Sequence, residues 1–280
     1  MDAIIDFHGT PAVRLETPDG ARAIVALHGA QVLSWAPAGG DERLYLSELA
    51  EFRPGEPIRG GIPVVFPQFA ARGTLAQSHG FARRRNWELG DIRLQQGFAC
   101  ATLRLSDDDS TRALWPHAFA AELTVMIERN RLDVELEVAN SGSRAFTFTA
   151  ALHTYLRLGN VELARVQGLE GLDYLDNTAA GKRCHDDRYA LLIDDEIDRV
   201  YLGAARPLLV SESNRQIAIE QSGFRDVVVW NPWQARTASL KDMAPLDFKR
   251  MLCVEAASVE HPVALAPGED WCGRQTLVAL

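Results

Sequence analysis

Glu122-Leu123-Thr124-Val125-Met126-Ile127-Glu128 followed by Arg129-Asn130 and then Arg131-Leu132-Asp133-Val134-Glu135-Leu136-Glu137-Val138 is the stretch that decides the fold. Leu123, Val125 and Ile127 alternate with polar neighbours, as do Leu132, Val134, Leu136 and Val138. A period of two places one set of side chains on a core and the other in water, and Asn130 suits the turn between them. The segment therefore reads as an antiparallel hairpin. Further strands are expected at Ala23–Leu27, Trp87–Leu94, Ala99–Leu105, Arg144–Tyr155, Arg199–Leu202, Gln216–Gln221, Val227–Trp230, Met251–Ala256 and Thr276–Leu280. Helical pattern is sparse, confined to Ser47–Phe52 and Ser239–Met243. Short strands separated by Gly, Pro, Asn and Asp along the chain predict an all-β protein, a large antiparallel β-sandwich with a few short helices. With no repeat, low-complexity tract or linker, residues 1–280 read as a single domain.

Composition narrows the possible partners. The chain has 280 residues, 47% of them hydrophobic, enough for a large core. Lys and Arg number 29 against 38 Asp and Glu, a formal charge of -9 that argues against a nucleic-acid binder. An anionic small molecule stays possible where a few arginines converge. The start, Met1 to Asp6, is acidic rather than signal-like, and no apolar run reaches the roughly 18 to 20 residues of a membrane span. A cytoplasmic protein away from membranes is expected. Cys100, Cys184, Cys253 and Cys272 are scattered without a C-x-x-C pair, so they read as reduced packing residues.

Candidate chemistry comes from four short segments. In Ala145–Tyr155, strand phase puts His153 on the face of Thr147, Thr149, Ala151 and Tyr155, suited to a partly wet groove. On Met251–Ala256, Leu252, Val254 and Ala256 point inward, leaving Met251, Cys253 and Glu255 opposite. A carboxylate on so apolar a strand is costly unless partnered, and its pKa is expected to rise. Arg59 precedes Gly60-Gly61, where missing side chains permit close approach to a ligand, and Pro63 fixes the exit. Arg83 follows His79-Gly80-Phe81-Ala82, and guanidinium forks suit phosphate oxygens. Taken singly, each has a bland alternative: a hydrogen-bonded strand histidine, a salt-bridged glutamate, a Gly-Gly turn, a solvated basic face.

Arg59 to Phe69 (RGGIPVVFPQF), His79-Gly80-Phe81-Ala82-Arg83 with Trp87, Leu152-His153-Thr154-Tyr155, Asp198-Arg199-Val200-Tyr201 and Cys253-Val254-Glu255 together resemble the hexose-6-phosphate mutarotases. These are the glucose-6-phosphate 1-epimerases of the aldose 1-epimerase, or galactose-mutarotase-like, superfamily. The resemblance implies a β-supersandwich binding a sugar on one sheet, and an isomerase that interconverts anomers of a hexose 6-phosphate. It implies Glu255 as general base on the anomeric hydroxyl and His153 as general acid on the ring oxygen. Asp198 and His79 would then hold sugar hydroxyls, and Arg59 and Arg83 the phosphate. Neither metal nor organic cofactor is implied, and a monomer is expected.

Departures from the family pattern are Gln77-Ser78 where Pro-Gln is frequent before the His79 motif, and Ala70 where glycine is common. A glutamine contact is thereby in doubt, with Gln77 as its substitute. Val227–Trp233 and Trp115–Phe119 read as a core strand with its turn and as a lead-in to a strand, with His117 outside the chemistry. Rival readings are a noncatalytic sugar-phosphate sensor on the same scaffold, a glycoside hydrolase using Asp198 and Glu255, and a metal enzyme using His79, His153 and Glu255.

Overall fold

The computed structural model describes residues 3–280; Met1 and Asp2, part of the acidic start, lie outside them. The decisive hairpin spans Ala120–Glu128 and Arg131–Ala139, in the register Glu128↔Arg131 to Ala120↔Ala139. It sits inside a nine-stranded antiparallel sheet. The spatial order there is Ala190–Leu192, Arg165–Gln167, Leu208–Glu212, Arg215–Ser222, Asp270–Ala279, Arg131–Ala139, Ala120–Glu128, Ala99–Ser106 and Glu88–Leu94.

Facing it is an eight-stranded sheet. Its order is Lys182–Asp186, Leu172–Asp176, Ile197–Tyr201, Asp226–Asn231, Met251–Leu265, Phe146–Leu152 and Val64–Val65, with Tyr155–Arg157 also pairing on Met251–Leu265. A four-stranded sheet of Ile4–Phe7, Thr10–Glu16, Arg22–Ala26 and Val32–Ala36 completes the assembly. Leu123, Val125, Leu132, Val134 and Leu136 from one large sheet join Phe148, Leu152, Leu252, Val254 and Ala256 from the other in one buried cluster. The apolar phase of each strand is thus spent on the space between sheets, as sandwich packing requires.

The opposite face of the eight-stranded sheet carries the polar phase. Register places Asp198 opposite Trp230, Trp230 opposite Cys253 and Cys253 opposite Tyr155, with Val228 opposite Glu255 in the neighbouring row. Rows of this kind bring residues as far apart in the chain as Tyr155 and Cys253 to touching distance.

Two helical expectations fail. Ser47–Phe52 is irregular because bridges from Leu44 to Leu156 and from Leu46 to Gly60 hold the chain extended just before it. Ser239–Met243 forms turns; the helices are instead Asp109–Leu114, Trp233–Thr237 and short 3-10 turns. Asp109–Leu114 is fixed by Asp108, whose carboxylate accepts from Thr111 N while Thr111 Oγ1 accepts from Asp108 N. The expected strand Arg144–Tyr155 is broken into Phe146–Leu152 and Tyr155–Arg157 by His153 and Thr154. Among the described residues no helix is long and apolar enough to cross a membrane.

Candidate active site

The break at residues 153–154 is held from behind. His153 N donates to Pro63 O at 3.0 Å, and Val254 N donates to Thr154 O at 3.0 Å. Thr154 Oγ1 donates to Gln275 Oε1, and Gln275 Nε2 donates to Val254 O at 3.0 Å, all of it buried. This network fixes the turn that aims the imidazole of His153 away from the core. Its Nδ1 stands 3.2 Å from Glu255 Oε1. The approach lacks hydrogen-bond direction, so His153 Nδ1 is buried without a partner among the described residues, and the other carboxyl oxygen, Glu255 Oε2, is buried without one as well. Tyr155 stacks on His153 at 4.8 Å between ring centroids, and Trp230 meets it edge-on at 6.0 Å.

A cavity of about 560 Å³ opens above this pair and is lined by Arg59, His79, Arg83, His153, Asp198 and Glu255, all six residues singled out from the sequence. Arg59 leaves the chain just before Gly60 and Gly61, whose φ values are 113° and 61°. A Cβ at either glycine would run into the Tyr45 or Val32 carbonyl, so only glycine lets this loop lie against the neighbouring strand. The guanidinium donates through Nε to Asp242 at 3.0 Å and through Nη1 to the Tyr155 hydroxyl at 3.0 Å. Arg83, in the 3-10 turn Ala82–Arg84, donates Nη2 to Ser78 O at 2.9 Å, while its buried Nε has no partner among the described residues. His79 occupies a left-handed position, φ 64°, ahead of Gly80. The Ala70 amide donates to its Nδ1 at 3.3 Å, so the ring proton sits on Nε2. Asp198 Oδ1 accepts from Asn177 Nδ2 at 2.7 Å.

Burial and neighbouring charge push the protonation of these groups in opposite directions. Burial, reinforced by Asp198 and opposed by Arg83, raises the Glu255 carboxyl well above the usual carboxylate range. Burial, then His79, Arg83 and Arg59, hold the His153 imidazole well below its ordinary value. His79 is pushed down to about 3 by burial and the same two arginines. Burial brings Arg83 down to about 10, whereas Arg59 is raised because Tyr155 and Asp242 outweigh its burial. At the floor of the cavity the surroundings thus disfavour charge on both groups, the imidazolium of His153 and the carboxylate of Glu255. The guanidinium groups of Arg59 and Arg83 line the same cavity.

Sequence reasoning missed part of this lining. Trp230 stands on its strand as expected but faces the cavity rather than the core. Asn177, Arg236 and Asp242 also line it; nothing local marks them, because their partners lie far away in the chain. Gln77 does not line the cavity, whereas Ser78 does, so the expected substitution by Gln77 is not realised. The close-set group of potential metal ligands among the described residues is His153, Cys253 and Glu255, within 4.8 Å of one another, rather than a trio with His79.

An antiparallel sandwich with a polar groove on the outer face of one sheet, lined by a close histidine–glutamate pair and two arginines, defines a protein of the mutarotase-like class. The fold matches a solved "putative mutarotase" (YeaD) from Salmonella typhimurium with a TM-score of 0.92 and 29% identity, covering 99% of this chain and 92% of the other. The chain belongs to the aldose 1-epimerase family, whose model matches residues 11–277. A Cenchrus ciliaris protein named "Putative glucose-6-phosphate 1-epimerase" is 38% identical over 276 residues, covering 93% of this chain and 83% of the relative. An Escherichia coli K12 protein of the same name is 34% identical over 248 residues, covering 84% and 79%.

Proposed function

We propose that the protein is an isomerase that interconverts the α and β anomers of a hexose 6-phosphate, with glucose 6-phosphate as the substrate its relatives' names suggest. The observation that carries this reading is the meeting, in one cavity, of the His153–Glu255 pair with Arg59 and Arg83. Glu255, once ionised, takes the proton of the anomeric hydroxyl; His153 gives a proton to the ring oxygen. The C1–O bond of the ring breaks, C1 becomes an aldehyde, rotation about C1–C2 exposes its other face, and the reverse transfers close the ring. Such proton transfers supply about 10² to 10⁴ in rate each.

Phosphate has a second effect in this reading. Arg59 and Arg83 are among the charges that hold His153 neutral, and a bound dianion offsets them. Binding the correct substrate therefore favours the imidazolium needed as acid. Arg59 Nη2 and Arg83 Nη1 donate to no group among the described residues and are the donors left for phosphate oxygens. Asp198 and His79 Nε2–H supply an acceptor and a donor for sugar hydroxyls. The same reading takes residues 1–280 as one domain that works as a cytoplasmic monomer, each step using side chains of this one chain.

Saturation-transfer NMR on glucose 6-phosphate tests the activity: the purified protein should speed anomer exchange well above buffer. No acceleration would favour a binding-only sensor. Arg59→Ala should raise KM for glucose 6-phosphate roughly ten- to a hundredfold, the loss of one charge-assisted contact, while barely changing exchange of free glucose. Equal effects on both sugars would remove the phosphate assignment.

A further inference from the structure

We propose that Asn177 is a positioning residue for this reaction: its side-chain amide relays Arg72 to Asp198, holding that carboxylate charged and turned toward the sugar. The proposal rests on the reading above, in which Asp198 accepts sugar hydroxyls. Asn177 Oδ1 accepts from Arg72 Nη2 at 3.2 Å, and Asn177 Nδ2 donates to Asp198 Oδ1 at 2.7 Å. Arginine has only donors, so the amide oxygen must face Arg72 and the NH2 must face Asp198. An asparagine oriented this way passes a cation's preference on to a carboxylate it does not itself touch. Asp198 Oδ2 has no hydrogen bond among the described residues, and Asp198 and Asn177 both line the cavity, so Oδ2 is the oxygen left for a substrate hydroxyl.

A structural role for the Asn177 side chain is already filled by others. The 3-10 turn Asn177–Ala179 is capped by Asp176, whose Oδ1 accepts from Thr178 N at 3.0 Å and Thr178 Oγ1 at 2.6 Å. Gly181 N closes the loop onto Asp176 O at 2.8 Å. Removing the amide should leave this turn folded.

The charges around Asp198 show why a relay is needed. Burial raises its pKa, and Asp176 on the adjacent strand adds to that; the Asn177 bond, Arg72 and Arg236 act the other way. Glu255, whose own proton affinity Asp198 raises, faces it from the strand Met251–Leu265. Cys253 on that strand also feels its charge. Without the amide bond, the balance tips toward a protonated Asp198, which offers a sugar hydroxyl a poorer acceptor.

The test compares wild type, Asn177→Ala and Asn177→Asp by saturation transfer on glucose 6-phosphate from pH 5.5 to 8.5, with carboxyl ¹³C NMR titration of Asp198 in each. Asn177→Ala should raise KM roughly three- to tenfold at pH 6, less than the loss of a direct charged contact, and converge on wild type by pH 8.5. The Asp198 titration should move to higher pH in the alanine variant, and further in the aspartate variant, where two carboxylates meet. A KM change equal at every pH, or an Asp198 titration unmoved by either substitution, would overturn the proposal. Should the wild type exchange no anomers, the functional reading falls, and the ¹³C titration still decides whether Asn177 holds Asp198 charged.

Discussion

His153 and Glu255 stand 3.2 Å apart with their proton affinities driven in opposite directions, so they titrate as a pair rather than as two independent groups. In the proposed mechanism Glu255 must be ionised to accept the anomeric proton. Because burial raises its pKa, the acid limb of the pH–rate profile should lie above the range of an ordinary carboxylate, with activity falling as pH drops through it. Arg83 favours the ionised form, so Arg83→Leu should carry that limb to still higher pH besides weakening binding. An unmoved limb would disconnect Arg83 from the pair. Glu255→Gln should reduce exchange by about 10² to 10⁴, and a loss below tenfold would remove Glu255 as the base.

Elements that obey a strict period were legible in the sequence. The hairpin at 120–139 and the alternation that points Glu255 away from Val254 follow from which side chains leave water, a local property. Ser47–Phe52 misled because it contains helix formers, while its conformation is set by distant strands that pin the residues before it. The interruption at His153-Thr154 was equally hidden: Thr154 is drawn inward by Gln275, 121 positions away. Replacing Thr154 by valine keeps the shape, removes the donor and strands the Gln275 oxygen in the core. The expected cost is about 1 to 3 kcal/mol in chemical denaturation, with kcat reduced because the turn carrying His153 loosens. Wild-type stability and activity in Thr154→Val would refute this anchoring. Gly61→Ala should cost at least as much, since φ is 61° and a Cβ there meets the Val32 carbonyl. Its thermal unfolding measures that strain directly.

Across the whole molecule, the sandwich was readable from strand patterns, and the six candidate residues from their motifs, but the contacts that orient them were not. Arg59 with Asp242 spans 183 positions, and Arg72 with Asn177 spans 105; such pairings exist only once the sheets have stacked. The stacked fold also carries a cost for its chemistry. Glu255 has a folded pKa raised above its unfolded value, so its favourable contribution is complete below the ordinary carboxylate pKa and is lost as pH rises through the folded one. His153 has a depressed folded pKa, so its contribution is present above the ordinary imidazole pKa and is lost as pH falls. At neutral pH the buried Glu255, with Oε2 unpartnered among the described residues, is therefore a liability to stability. Glu255→Gln, which cannot ionise, should be inactive yet more stable than wild type, by about 1 to 3 kcal/mol near pH 8, with the gain shrinking toward pH 5. Thermal unfolding at several pH values measures this as a melting temperature a few degrees higher at the alkaline end. A glutamine variant that melts below wild type throughout would mean the carboxylate is structurally satisfied, and the picture of a site kept costly for proton transfer would fail.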